Sequence, residues 1–139
     1  MIALLPSANR NSSSNLVVPV NLHVEEWTQA VFVLDVTAAA TLAGDTLDVF
    51  LQGSPDPSGP YWNDFVHFTQ VLGNGGAKRF EARWTSLVAP TTAQAAPQDG
   101  ALAAGVAQGL FGAAMRVKWV LAGTGNFTFA VNAVPQRVI

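Results

Sequence analysis

From about residue 30 onward, apolar and polar residues alternate with a period of two, the pattern of β-strands that are buried on one face. In KRFEARW, Phe80, Ala82 and Trp84 alternate with charged residues. LDVFLQ, MRVKWVL and FTFAVNA follow the same pattern, whereas AVFVLDV and DFVHFTQV alternate less regularly, as is typical of strands covered on both faces. These segments predict six strands, and LVVPVNL and the C-terminus predict one or two more.

Turn sequences separate the predicted strands. GSPDPSGP at residues 53–60 cannot continue a strand, and GNGG at 73–76 and GTGN at 123–126 tolerate the positive φ angles of tight hairpins. Short strands with Gly and Pro turns, and no helical pattern between them, predict an all-β fold. We expect a single antiparallel β-sandwich that is jelly-roll-like, with an immunoglobulin-like strand order as the open alternative.

Two segments lie outside the strand pattern. Residues 1–15 join an apolar tip to the polar SANRNSSSN, which predicts an extended N-terminal arm on a sandwich domain of residues 16–139. Such an arm should be removable without unfolding the domain. Residues 86–113 hold nine alanines and one charged residue, Asp99, and predict one long functional loop. The alternative is a loop that folds across its own sandwich, with one helical turn at residues 101–108.

The composition adds information about the surface. The chain has 139 residues, enough for one domain with a sizeable core, no cysteine and a net charge of −2. Only 12% of the residues are charged, about half the usual share. So low a charged fraction indicates one of three kinds of protein: a membrane protein, a protein whose exterior is covered by other subunits, or a monomer whose surface is coated with Thr, Asn, Gln and Ser. No apolar run approaches the roughly 20 residues of a membrane span, so we favour covering by protein. The weak net charge argues against a nucleic-acid partner.

Few residues could carry catalysis. His23 with Glu25 and Glu26 lacks metal-binding spacing, and Asp64 with His67 lacks further ligands. No nucleophile-elbow, zinc-protease or phosphate-loop motif occurs, and the carboxylates show no spacing that favours acid–base pairing. We therefore predict a protein that is not an enzyme and has no cofactor, metal or catalytic residue.

Exposed aromatic residues on a sandwich would indicate a different activity, the stacking of sugars. Alternation predicts that Trp84 and Trp119 lie in the core, which leaves Trp27, Tyr61 and Trp62 as candidates for a binding platform. A carbohydrate-binding module is therefore an alternative function.

Two stretches together resemble a recurring type of small virion protein of tailed bacteriophages. The first is TLDVFLQGSPDPSGPYWNDFVHFTQVLGNG, residues 46–75, and the second is the hairpin MRVKWVLAGTGNFTFAV, residues 115–131. The order and spacing of a strand, an SPD turn, an aromatic pair leading into FTQ, and the final hairpin carry the resemblance, which covers about a third of the chain.

The resemblance implies a β-sandwich and a structural role in the virion. Proteins of this type act as capsid decoration (cement) proteins or in other minor head roles. A decoration protein is made in the bacterial cytoplasm, binds the outside of the phage head and stabilises contacts between capsomers. The implied partners are the major capsid protein and further copies of the chain, as a homotrimer, without nucleic acid or membrane. A neck or tail component is the alternative.

The contact residues are expected among the apolar side chains of the arm and the long loop, because interface cores are depleted in charge. The candidates are Ile2, Leu4, Leu5, Leu87, Val88, Leu102, Val106, Leu110 and Phe111.

Overall fold

The computed structural model describes residues 1–39, 42–56, 58, 61–87, 99–109 and 111–137. These residues form β-strands and two short 3-10 helices, Val20–Leu22 and Val24–Glu26. The strands are β1 (Ile2–Arg10), β2 (Ser14–Val17), β3 (Gln29–Ala38), β4 (Thr46–Ser54), β5 (Asn63–His67), β6 (Val71–Leu72), β7 (Lys78–Thr85), β8 (Gly105–Val106), β9 (Ala114–Ala122) and β10 (Phe127–Gln136).

The strands form two antiparallel sheets that pack as a sandwich, which confirms the predicted all-β fold. The four-stranded sheet has the order β1-β10-β3-β7, and the six-stranded sheet has the order β2-β9-β4-β5-β8, with β6 also paired to β4. The chain crosses repeatedly between the sheets, and its first and last long strands are neighbours. This order is that of a jelly roll, which decides the topology that the sequence left open.

The core lies between the sheets and is built from the apolar side of the alternating strands. Phe32, Phe129 and Leu51 are fully buried there. Trp84 and Trp119 are buried, as predicted, and Trp84 makes edge-on contact with Phe65 of the facing sheet. Aromatic pairs of this kind add about 1 kcal/mol each beyond the burial of their area. The period-two pattern therefore located most of the core correctly.

The N-terminal segment differs from the expected free arm. Residues 2–10 are the edge strand β1, which pairs with β10 from the Ile2–Ala133 pair to the Arg10–Phe127 pair. Leu4 and Leu5 are 1% and 2% exposed, so both belong to the core. Register shifts on either side of Leu5 interrupt the pairing. These irregularities break the period-two alternation, which is why the strand was not apparent in the sequence.

The second half of the predicted loop folds back onto the sandwich. We call residues 99–109 the closing segment. Its strand β8 pairs with β5, and the backbone N–H of Ala107 donates to the carbonyl oxygen of Phe65 at 2.9 Å. At β7, the N–H of Gly109 donates to Thr85 O, and the amide of Gln108 donates to Arg83 O. The described residues 99–109 of the predicted loop thus follow the alternative interpretation, although as a short strand rather than a helical turn.

Two glycines allow the chain after the closing segment to lie against β4. A Cβ atom on Gly53 would fall 2.2 Å from the carbonyl oxygen of Phe111. Gly112 has a φ of +119°, and a Cβ there would fall 2.4 Å from the carbonyl oxygen of Ser54. This close approach places the Phe111 ring beside Phe65, with ring centroids 5.0 Å apart.

Candidate functional site

Two connections between the sheets, from β2 to β3 and from β7 to β9, lie at the same end of the sandwich, which we call the crossover end. There the N–H of Thr28 donates to Gln136 O at 2.9 Å, and the N–H of Ser86 donates to Thr28 O at 2.8 Å. The N–H of Ala113 donates to Ser54 O at 2.8 Å. These bonds bring together the start of β3, the ends of β4, β7 and β10, and the start of β9.

The crossover end carries most of the exposed large apolar side chains among the described residues. Tyr61 is 67% exposed and Leu87 is 66% exposed. Each follows or precedes a strand end at which the chain leaves a sheet. The full set at this end is Met1, Val20, Tyr61, Leu87 and Val134. A concentration of apolar surface at one end is typical of a protein–protein contact.

The structure separates the predicted contact residues into several groups. Leu4 and Leu5 are core residues and are not available as a contact surface. Val106, Phe111 and Ile2 are partly buried and pack against the core. These side chains are apolar because they complete the sandwich, a role that composition alone does not distinguish from an interface.

The remaining candidates are partly or fully exposed, or lie outside the described residues. Leu102 is half-buried in the closing segment, and Leu87 is the most exposed candidate among the described residues. Val88 and Leu110 lie outside the described residues. Of the predicted set, Leu87 therefore gives the clearest support to a surface at the crossover end.

The predicted aromatic platform is reduced to two residues. Trp27 is buried, so it cannot stack a ligand. Trp62 is partly exposed, and the guanidinium of Arg116 lies 4.6 Å from the centroid of its ring. With the exposed Tyr61 beside it, this pair forms the aromatic part of the crossover end.

A polar network on the outer face of the six-stranded sheet holds the start of the closing segment. Asp99 accepts hydrogen bonds from the Nζ of Lys118 and the Nε2 of Gln52, each at 2.5 Å, and pairs with Arg116 at 3.2 Å. Gln52 is fully buried. Burial by itself would raise the pKa of Asp99, but the hydrogen bonds from Lys118 and Gln52, with the two nearby positive charges, hold that pKa below its ordinary value.

Asp64 extends the same network to the backbone of the closing segment. Its Oδ1 accepts the N–H of Gly100 at 3.0 Å, and its Oδ2 accepts the N–H of Leu102 at 2.9 Å. The amide of Gln52 donates to Oδ1 at 2.8 Å. Because Asp64 is buried, these bonds satisfy a carboxylate that would otherwise be costly to place there. The carboxylate fixes the path of the segment.

His67 makes a third link between the sheet and the closing segment. Its Nδ1 lies 2.8 Å from the carbonyl oxygen of Leu102, and its Nε2 lies 2.9 Å from Oδ1 of Asp48. The ring stacks on Phe50 with centroids 4.1 Å apart. Both ring nitrogens are engaged, so the geometry gives His67 a structural role.

His23, Glu25 and Glu26 come closer together than their spacing indicated. Their side-chain ligand atoms all lie within 4.8 Å of one another. His23 has a φ of +51°, which turns the chain between the two 3-10 helices and brings its ring 3.2 Å from Glu25. All three side chains are exposed, and Glu26 is paired with Arg137 at 3.0 Å. The His23–Glu25 hydrogen bond and the Glu26–Arg137 ion pair therefore engage all three side chains.

An open cleft of about 390 Å³ lies on the outer face of the four-stranded sheet, next to the crossover end. The amides of Gln29, Gln108 and Gln136 line it together with Arg83 and Val134. The side-chain amide of Gln29 donates a hydrogen bond to that of Gln136, and the amide of Gln108 donates one to the backbone of β7. Hydrogen bonds within the protein therefore already use part of the bonding capacity of these amides. The cleft therefore extends the surface of the crossover end.

The open edge of β2 is a feature that the sequence did not indicate as a site. All four residues of β2 are exposed, including Leu16 at 41% and Val17 at 45%. β2 pairs with β9 on one side and is the last strand of its sheet on the other. The sequence placed these residues at the junction of the predicted arm and domain, and LVVPVNL predicted a strand there but gave no indication that one of its edges would be open.

Comparisons with protein-family models, with curated proteins and with solved structures found no match to this chain. Within the described residues, no helix is both long and apolar enough to cross a membrane.

Proposed function

We propose that this chain is a structural protein that binds other protein subunits, and specifically a capsid decoration protein of a tailed bacteriophage. The observation that carries the proposal is the group of exposed apolar side chains at the crossover end, above all Leu87 and Tyr61. Their burial against a neighbouring subunit would remove apolar surface from water, which is the main driving force of protein association.

Three further features support the virion role. Residues 46–75 and 115–131 resemble small tailed-phage head proteins in the order of their strands and turns. Jelly rolls are a common architecture of viral capsid domains. The 12% charged fraction suits a molecule that covers, and is covered by, protein.

The proposed action is mechanical. A head filled with DNA fails where neighbouring capsomers separate, and a protein bound across that boundary adds contacts that separation must break. Because such a protein binds the assembled shell and not the free subunits, binding shifts the equilibrium toward the shell. Several copies joined as an oligomer would strengthen weak single contacts by avidity.

The test is binding to heads of a tailed phage that encodes the chain, after the protein has been stripped from them. Leu87→Lys should reduce the number of bound copies, because it places a charge in the proposed contact. Leu72→Lys is the matched control, since Leu72 is 47% exposed but lies at the opposite end of the sandwich. Equal binding of both variants would reject the crossover end as the contact surface.

Electron microscopy of the same heads distinguishes decoration from the neck or tail alternative. A decoration protein should add density over the whole shell, whereas a neck or tail component should add density at a single vertex. Density at neither location would reject a structural virion role.

A carbohydrate-binding module is the second candidate, supported by Tyr61 and Trp62 on the surface beside Arg116. Aromatic faces next to hydrogen-bond donors are suited to sugars. If this function is correct, a glycan array should give specific binding that Trp62→Ala abolishes. The absence of binding across a broad array would remove this candidate.

A further inference from the structure

The sheet edges of the described part of the chain differ in how well they are protected against pairing with another strand. β1 carries Pro6, which has no N–H to donate, and Arg10, and its pairing is interrupted by register shifts around Leu5. Proline, charge and irregular pairing are the features by which natural edge strands avoid association. The β1 edge is therefore protected.

The edges on the opposite side are partly covered by the closing segment, and β7 itself carries four charged residues. Gln108 accepts the N–H of Thr85 at 2.7 Å and donates to Arg83 O at 3.0 Å, so its amide occupies the outer edge of β7. β8 pairs with the outer edge of β5. β6, which continues that side, has only two residues.

Within the described residues, the edge of β2 has none of these protections. Its sequence, Ser14–Val17, contains no charged residue and no proline. The N–H of Val18 donates to Met115 O at 2.8 Å, which fixes the phase of the ladder with β9. Because antiparallel strands alternate their hydrogen-bonding direction, the backbone groups of Leu16 point toward β9 and those of Asn15 and Val17 point away from it.

We propose that β2 is a self-association site, at which the β2 strand of a second copy of this chain pairs antiparallel with it about a two-fold axis. The outward backbone groups of Asn15 and Val17 define the register. In this register the backbone of Asn15 in each copy pairs with the backbone of Val17 in the other copy. The two Leu16 residues lie opposite each other on the two-fold axis. The two six-stranded sheets then form one continuous sheet.

The chemistry of β2 favours its own copy as the occupant. A two-fold axis brings two copies of the same short strand side by side. If the strand carried a charge, the like charges of the two copies would lie close together. β2 is uncharged and avoids this cost. Leu16, now 41% exposed, would lie beside its equivalent, where the strands of a non-hydrogen-bonded pair approach most closely.

Cysteine cross-linking tests this register directly, because the chain contains no cysteine. Equivalent positions of a non-hydrogen-bonded pair have Cα atoms about 4.5 Å apart, within the range of a disulfide. Leu16→Cys should therefore form a covalent dimer under mild oxidation. Leu87→Cys, an exposed position at the crossover end, is the control and should remain largely monomeric under non-reducing conditions.

The native mass of the unmodified protein gives the second measurement. We expect a concentration-dependent species of twice the 14.6 kDa chain mass, and we expect Val17→Lys to reduce its population while preserving the folding transition. A monomer at all accessible concentrations, a trimer, or Leu16→Cys cross-linking no better than Leu87→Cys would each overturn the proposal. These measurements use the free protein, so their outcome is independent of binding to phage heads.

Discussion

Gly53 illustrates how a single residue determines the packing of a whole segment. It lies in β4 at a place where the backbone of Phe111 passes directly over it, and a Cβ atom would meet that backbone at 2.2 Å. Backbone atoms cannot move aside as the end of a long side chain can. The absence of a side chain at this position therefore allows Phe111 to reach the aromatic group of Phe65 and Trp84.

We expect Gly53→Ala to lower the free energy of unfolding by about 1–3 kcal/mol, the range typical of overpacking in a well-packed interior. Gly44→Ala is the matched control, because a Cβ there has no neighbouring atom within 4 Å. Urea unfolding of both variants measures the difference. Equal stability of the two variants would contradict the close approach of Phe111 to β4.

The closing segment is the element whose attachment depends most on charge. Asp99 contacts Lys118, Arg116 and Gln52, and its lowered pKa means that the folded protein favours the ionised carboxylate. A carboxyl whose pKa is lower in the folded state stabilises the protein at pH values above its ordinary pKa. This stabilisation is lost as the pH falls through the lowered pKa.

We therefore expect the stability difference between the unmodified protein and Asp99→Asn to be constant near neutral pH and to shrink as the pH falls below the ordinary value of 3.8. The difference should be at most about 1 kcal/mol, because the carboxylate is half-exposed and water screens it. Unfolding measured as a function of pH gives this difference directly. A difference that stays constant down to pH 2 would contradict the assigned contacts.

At the scale of the whole molecule, β1 is part of the sandwich and not an appendage. It covers the edge of β10, and Leu4 and Leu5 fill the core between the sheets. Arg10 also lies 4.7 Å from the centroid of the Phe129 ring and donates to Phe129 O at 2.8 Å. These contacts integrate the first ten residues into the core and sheet of the sandwich.

Deletion of residues 1–10 should accordingly destabilise the domain strongly, by several kcal/mol, because removing a buried leucine side chain alone typically costs about 2–5 kcal/mol. This result would reverse the sequence-based expectation of a removable arm. Thermal unfolding and the dispersion of amide NMR signals provide the measurement. A deletion of Met1 alone, whose side chain is exposed, serves as the control.

The sequence was most informative where burial has a regular period. Alternation located the strands that contain Phe80, Val117 and Phe129, because strands with one face in the core must repeat every two residues. It was least informative for β1 and for the closing segment. Bulges interrupt β1, and the alanines and glycines of residues 99–109 are compatible with a loop, a helix or a covering strand.

The candidate surface was predicted only in part for the same reason. Leu4, Phe111 and Leu87 are all apolar residues outside the strands predicted from the sequence, and their sequence context does not distinguish core from surface. Tertiary contacts make this distinction, since Phe111 reaches Phe65 while Leu87 faces solvent. In the part of the chain that the structure describes, the edge of β2 is open because no strand pairs with its second side. No local sequence pattern encodes this lack of a partner.

The sequence by itself thus determined the all-β class, the main strands and the low charge of the surface, because these follow from periodicity and composition. The jelly-roll order, the burial of β1, the closure of one side of the sandwich and the exposure of β2 were decided only by the tertiary structure. They depend on which distant segments meet, as when Gln108 covers β7 and Asp99 reaches Lys118. Such long-range pairings are selected by the energy of the whole fold and not by any single segment.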